Sequence, residues 1–306
     1  EQFNLTSYAA TSVAIVSLEA FSGMWINAFL VSVLCISWVK QKTLNLNEKI
    51  LLFLGFSRFW YLSIEWLHYS LSIIYPNYLY VHPTFQVVAS TTSFFNFSSL
   101  WVSACLCVFY CLKIANFSNR FFIYLKAKID RIVPALFFGS VLFSLILSIF
   151  IYSDIDKAIC KNHNCTSQGS IWKPTIRIEE HFFTIFFVTG FLFAVSFMAV
   201  IFSALLLLFS LWRHQRNMQT NCMKDLSMDA HIRAMKSILS FFIMYSINFI
   251  LLILTQISAL NTQSLDMFPF FVGRFAFPGV HSLILIFSNP KLEKILRRIL
   301  CCGNCK

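Results

Sequence analysis

The sequence predicts an all-α membrane protein built as a bundle of seven transmembrane helices. Three observations carry that fold class. Seven apolar runs, at about 8–38, 47–75, 84–112, 132–152, 181–212, 233–260 and 265–288, each reach the roughly 20 residues that cross a bilayer. The chain is 58% hydrophobic and 12% charged, against about 25% charged in a soluble domain, which excludes a soluble protein. The cationic residues gather on one side of the runs.

If the runs alternate across a membrane, Lys40, Lys42 and Lys49 share a face with Lys113, Arg120, Lys126, Lys128 and Arg131. That face also receives Arg213, Arg216, Lys224, Arg233, Lys236 and the five cations of the C-terminal stretch, giving eighteen of the 24 Lys and Arg. Lys157, Lys161, Lys173 and Arg177 fall opposite, and Arg58 and Arg274 lie inside spans. The positive-inside bias then predicts an outer N-terminus and a cytosolic C-terminus. The net charge of +11 follows from this topology and from contact with anionic inner-leaflet lipid, so no nucleic-acid partner is expected.

The chain reads as one membrane domain, 1–306, with no internal repeat. Residues 1–7 form an outer tail carrying the sequon Asn4-Leu5-Thr6, and 39–46 the first inner loop. Residues 76–83, bounded by Pro76 and Pro83, form the first outer loop, and 113–131 a basic second inner loop. The long outer loop 153–180 holds Asn164-Cys165-Thr166, far enough from the bilayer to expect a glycan on Asn164. The sequon Asn96-Phe97-Ser98 falls mid-span and cannot be used. The third inner loop is 213–231. After Pro290, residues 290–300 read as a short basic amphipathic helix on the inner membrane surface. The chain lacks an initiator Met and reads as trimmed, and no cleavable signal peptide is expected.

The ten Cys show no CxxC…CxxC metal spacing, and no catalytic motif or cofactor loop occurs, so neither an enzyme nor a metal or cofactor site is expected. Cys160 and Cys165 share the oxidising outer loop and could pair, which spacing alone does not show. Cys301, Cys302 and Cys305 follow the basic stretch as palmitoylation candidates or free cytosolic thiols.

Ionisable groups inside spans are costly and are functional candidates by default. Span one carries Glu19 and Asn27, span two Arg58, Glu65 and His68, span seven Arg274 and His281. Seven residues fall ~20° short of two helical turns, so Arg58 and Glu65 share a face, as do Arg274 and His281. Glu65 and Arg274 have similar depths in the outer half, and an ion pair between them is expected at the floor of an outward cavity. Thr92, Asn96, Ser99 and Ser103 form one stripe on span three. The serines read as small interhelical contacts. Asn96, at mid-depth and able to hold up to four hydrogen bonds, is the leading ligand anchor, with Tyr245 and Asn248 of span six comparable.

The ends of the spans are not generic. The stretch from Trp101 through Phe109-Tyr110-Cys111-Leu112-Lys113-Ile114-Ala115-Asn116-Phe117-Ser118 closely resembles the end of span three in the type 2 bitter taste receptors. Ser210-Leu211-Trp212-Arg213-His214, Met218, Asp229-Ala230-His231, Arg233, Met235-Lys236-Ser237 and the span-seven end Pro278, His281-Ser282, Asn289-Pro290-Lys291-Leu292 resemble the same family. So do Leu54, Ser57-Arg58 and Glu19, Gly23, Asn27. Rhodopsin-like hallmarks are absent: no Asp-Arg-Tyr follows span three, span six has no Pro, and span seven has no Asn-Pro-x-x-Tyr.

The resemblance implies a G-protein-coupled receptor for small, mostly apolar bitter compounds, signalling through a gustducin-type, Gi-like heterotrimeric G protein. It places Asn96 at the family's span-three ligand-contacting Asn, Tyr245 at its span-six Tyr near the pocket floor, and Arg58 at its buried span-two Arg. The expected ligand-binding set adds Thr92, Ser93, Phe97, Glu65, His68, Asn248, Phe249, Phe271 and Arg274. Tyr110, Lys113, His214, Arg216, His231 and Lys236 are expected to face the G protein, and Glu19, Asn27, Arg58 and His281 to form a polar core. Departures are Thr92 where many members have Trp, Ser196 for a usual Pro, and Leu34 for a usual Asn. Arg274 at a cavity would favour acidic or carbonyl-bearing agonists. Competing readings are a vomeronasal type 1 pheromone receptor and, remotely, a seven-span transporter using the intramembrane charges as a relay.

Overall fold

The computed structural model describes residues 2–74, 83–115, 120–161, 181–219, 239–254 and 268–302, whose regular structure is all helical. In chain order the helices are α1 (Gln2–Gln41), α2 (Leu46–Ile74), α3 (Thr84–Ile114), α4 (Arg120–Ala127) and α5 (Ile129–Lys161). They continue with α6 (His181–Gln219), α7 (Leu239–Leu254), α8 (Phe268–Ser288) and α9 (Pro290–Cys302). Six are long and apolar enough to cross a membrane, and α7 is a shorter apolar helix. Together they fit a seven-helix membrane bundle.

Helix ends follow local chemistry. α1 stops where Lys42 takes a left-handed φ of 55° and its amide bonds the Trp38 carbonyl at 2.7 Å. Before α2, the Asn45 amide donates to Glu48 Oε2 at 3.1 Å, the reciprocal arm of a capping box. At the end of α3, Ala115 turns extended while its amide bonds Cys111 O at 2.9 Å. Lys126 Nζ donates to Ala115 O at 3.1 Å and holds α4 beneath α3.

Four boundaries differ from the sequence expectation, one of them the end of α6, which runs to Gln219 inside the expected third inner loop. α1 begins at Gln2, within the expected tail, and the basic second inner loop contains α4. α5 runs on to Lys161 because Asp154, Asp156 and Lys157 end the hydropathy without ending the helix. Asn164, Cys165, Cys222, His231, Lys236 and Cys305 lie outside the described residues.

α3 is the central helix. Two-thirds of its apolar window is buried, against 28% for α5, and it packs on α2, α5 and α6. α1 packs on α2 and α8. The α1–α8 approach rests on two glycines: a Cβ on Gly279 would lie 3.0 Å from the Gly23 Cα. Such close backbone contact is how membrane helices gain van der Waals energy without a hydrophobic driving force. At the end bearing α9, Leu292 and Leu296 pack with Leu30, Ile50, Leu106 and Leu285. α6 and α7 meet through flat aromatic stacks. Phe197 lies on Phe249 (5.1 Å, 14°) and Phe242 (6.3 Å, 11°), and Phe193 on Phe249 (5.6 Å, 26°). Outward faces of α5 and α6 expose Phe138, Ile149, Phe187, Met198 and Phe202, the apolar surface a bilayer covers.

Candidate functional site

Two polar rungs connect α2 to α8. The deeper one centres on Arg58, 1% exposed. Its Nε donates to Ser99 Oγ (3.1 Å), Nη1 to Ser282 Oγ (2.9 Å), and Nη2 to Ser103 Oγ (2.9 Å) and His281 Nδ1 (2.6 Å). Ser282 Oγ donates onward to Asn27 Oδ1 at 2.7 Å, and Asn27 Nδ2 to Gly23 O at 2.7 Å. One guanidinium thus ties α2, α3 and α8 and, through Ser282, α1. Among the described residues no carboxylate pairs with it, so neutral acceptors alone compensate a buried charge.

The second rung lies two turns further from α9. Arg274 Nη2 meets Glu65 Oε1 at 3.0 Å, and Arg274 Nε donates to Tyr61 Oη at 2.7 Å. The ion pair expected from sequence depth is therefore formed. Glu65 is buried, while the Arg274 side chain is 39% exposed, toward a cavity of about 100 Å³. Asn96 of α3, Asn248 of α7, Tyr61 and Arg274 supply its polar wall. Phe193, Leu251, Leu252, Phe270, Phe277 and Pro278 supply the apolar remainder. Pro278 has no amide to give the Arg274 carbonyl, so the backbone of α8 is polar at the same level.

Other expected ligand contacts sit elsewhere. Tyr245 is fully buried beneath the cavity, its hydroxyl donating to Leu100 O at 2.6 Å, beside the His281 ring. Phe97 packs in the α3–α5–α6 core with Leu147 and Ile151. Phe249 is committed to the α6–α7 stack, and Phe271 lies on Tyr69 at 5.2 Å. Thr92 is buried and Ser93 half-buried, His68 lies 6.3 Å from Phe85, and neither the Thr92 hydroxyl nor His68 Nδ1 has a partner among the described residues. Glu65 reaches the cavity through Arg274. Glu19 is half-buried on α1, away from Arg58's hydrogen bonds, its buried Oε2 without a partner among the described residues.

The missed wall residues had a signal. Phe270 and Pro278 are one turn either side of Arg274, and Leu251 and Leu252 one turn beyond Asn248, so the helical period from those two anchors finds them.

At the end bearing α9, Lys291 Nζ meets Glu48 Oε1 at 2.9 Å and Ser37 Oγ at 2.8 Å, fastening α9 to α1 and α2. Tyr110 Oη donates to Asn47 Oδ1 at 3.1 Å. Lys113 is exposed 5.4 Å over Phe109, and Arg216 is exposed 5.7 Å over Trp212. His214 lies on α6, its side chain outside the description.

The profile of the family described as taste receptor protein (TAS2R) matches residues 5–304. Human taste receptor type 2 member 9 is 32% identical over 300 residues, 95% of each chain. Human taste receptor type 2 member 2 is 30% identical over 301 residues, 97% of this chain and 98% of its own. Mouse taste receptor type 2 member 117 is 32% identical over 292 residues, 93% and 86% of the two chains. These relatives are receptors and not enzymes, and they favour neither the pheromone-receptor nor the transporter reading. With a profile spanning nearly the whole chain and relatives of matching length, this multi-pass plasma-membrane protein belongs to the type 2 taste receptor family of G-protein-coupled receptors.

Proposed function

We propose that the chain is a receptor for small, mostly apolar bitter compounds, which enter from the extracellular side and activate a gustducin-type, Gi-like G protein. One domain, 1–306, carries both functions. The observation that carries the reading is the cavity, where Asn96, Asn248 and Arg274 stand in a wall otherwise mainly aromatic and aliphatic. Apolar burial at roughly 25 cal/mol per Å² supplies most of the affinity, and three directional groups orient the ligand. Few directional groups mean broad, weak recognition, which suits a toxin alarm.

The cationic asymmetry supports an outer N-terminus and puts α9, Lys113 and Arg216 in the cytosol with His214, His231 and Lys236. The cavity then opens outward. Its wall draws on α2, α3, α6, α7 and α8, so a ligand that fits one arrangement of these helices better biases the equilibrium toward it. The receptor performs no covalent chemistry; nucleotide exchange occurs on the G protein.

The test is calcium release in cells co-expressing this chain and a gustducin-containing chimeric G protein, challenged with a broad panel of bitter compounds. A response that Asn96→Ala weakens about tenfold, the cost of one hydrogen bond, supports the reading. Silence from a chain shown to reach the surface, across the whole panel, overturns it.

A further inference from the structure

We propose that Glu65 sets the charge selectivity of the cavity, so that it takes neutral ligands bearing an ester, lactone or ketone oxygen and turns away carboxylates and sulfonates. The inference rests on reading this cavity as the agonist site.

Arg274 is the one charged residue on the described wall. An arginine there suggests an anion site, but its charge is already met. Nη2 is 3.0 Å from Glu65 Oε1 and Nε donates to Tyr61 Oη, which leaves Nη1 without a partner among the described residues. Glu65 is 9% exposed, so water does not draw it away from the guanidinium. An incoming carboxylate would lose its hydration among Phe193, Phe270 and Phe277 and would share one guanidinium with a second carboxylate. Like charges so placed cost several kcal/mol. A carbonyl oxygen accepts from Nη1 with no net charge desolvated, at a lower cost than an ion. The carboxamides of Asn96 and Asn248 make no hydrogen bond to the described protein and offer further donors and acceptors. A cationic ligand would meet the guanidinium at the wall.

The test uses the full-length receptor and an aryl series with one ring skeleton bearing a methyl ester, a carboxylate or a trimethylammonium group. Binding is read as ligand-induced thermal stabilisation of receptor in neutral-lipid nanodiscs, and signalling as calcium release. Wild type is expected to bind the ester alone. Glu65→Gln keeps the side-chain shape and is expected to gain roughly 10- to 100-fold for the carboxylate. Arg274→Gln, the reciprocal variant, is expected to admit the trimethylammonium compound, and the double Gln variant the ester alone.

Carboxylate binding to wild type as strong as to Glu65→Gln, or a folded Glu65→Gln that gains none, overturns the proposal. If Glu65→Gln does not fold, an Arg274→Gln that ignores the ammonium compound overturns it equally. Ester binding with the expected charge pattern but no calcium response would defeat the proposed signalling function and leave the selectivity standing. No stabilisation of any variant by any member of the series would overturn the cavity as a ligand site.

Discussion

Arg58 Nη2 lies 2.6 Å from His281 Nδ1, and because a guanidinium can only donate, that nitrogen must be the acceptor. His281 is therefore the neutral tautomer with its proton on Nε2, and that Nε2 is buried beside Phe241 and Tyr245 with no partner among the described residues.

Arg58→Lys is expected to fail as a conservative change. The ammonium cannot span Ser99, Ser103, Ser282 and His281 from one nitrogen, so at least one buried acceptor on each side loses its donor. Each orphaned group costs about 1–3 kcal/mol. Surface expression measured by flow cytometry should fall several-fold; expression equal to wild type would show the network to be dispensable.

Gly279→Ala should destabilise more than Gly23→Ala. The added methyl at Gly279 meets the Gly23 backbone at 3.0 Å, whereas at Gly23 it meets the end of the mobile Leu62 side chain at 2.7 Å. Overpacking of this kind costs about 1–3 kcal/mol. Gly139→Ala, with nothing within 4 Å, is the control and should be neutral or stabilising. Melting temperatures of the three purified variants give the order, and the reverse order at 23 and 279 would contradict the close-approach account.

Exchanging Glu65 and Arg274 should recover surface expression lost in either single charge reversal, because the pair closes one rung between α2 and α8. Tyr61 is compatible with the exchange, since its hydroxyl, which accepts from Arg274 Nε, can turn and donate to a carboxylate at that position. A double exchange as poorly expressed as the single variants would mean that the orientation of the pair, and not its charge balance, is what the fold requires.

Lys291→Glu should loosen α9, and Glu48→Lys in the same chain should restore it. The bridge is partly solvent-exposed on the lysine side, so a coupling of about 1 kcal/mol or less is expected. A double-mutant cycle on G-protein activation measures it. Zero coupling would leave α9's anchoring to Leu292, Leu296 and the Lys291–Ser37 hydrogen bond.

Much of this was legible in the sequence, for a physical reason. Hydropathy reports the bilayer directly, so the spans and α9 emerged from composition. The Glu65–Arg274 pair emerged because depth and helical phase are both countable along a chain. What hydropathy does not encode is which face meets which neighbour. Ser99 and Ser103 therefore read as small spacers, although their hydroxyls accept from Arg58. Phe270 and Phe271 are equivalent by composition, yet one lines the cavity and the other packs on Tyr69. α5 outlasted its hydrophobic run because helix continuation needs only backbone bonding, which charged residues permit.

The near-parallel rings between α6 and α7 bear on how this seam moves. Aliphatic side chains interlock, and sliding one helix past another must lift them out of their holes. Flat faces inclined by only 11° and 14° have nothing to lift, so an in-plane displacement exchanges one area of ring contact for an equal one. A seam of this kind is expected to yield by shear more readily than an interlocked one, and Asn248 and Leu252, on the α7 side, would then shift relative to Phe193 on α6.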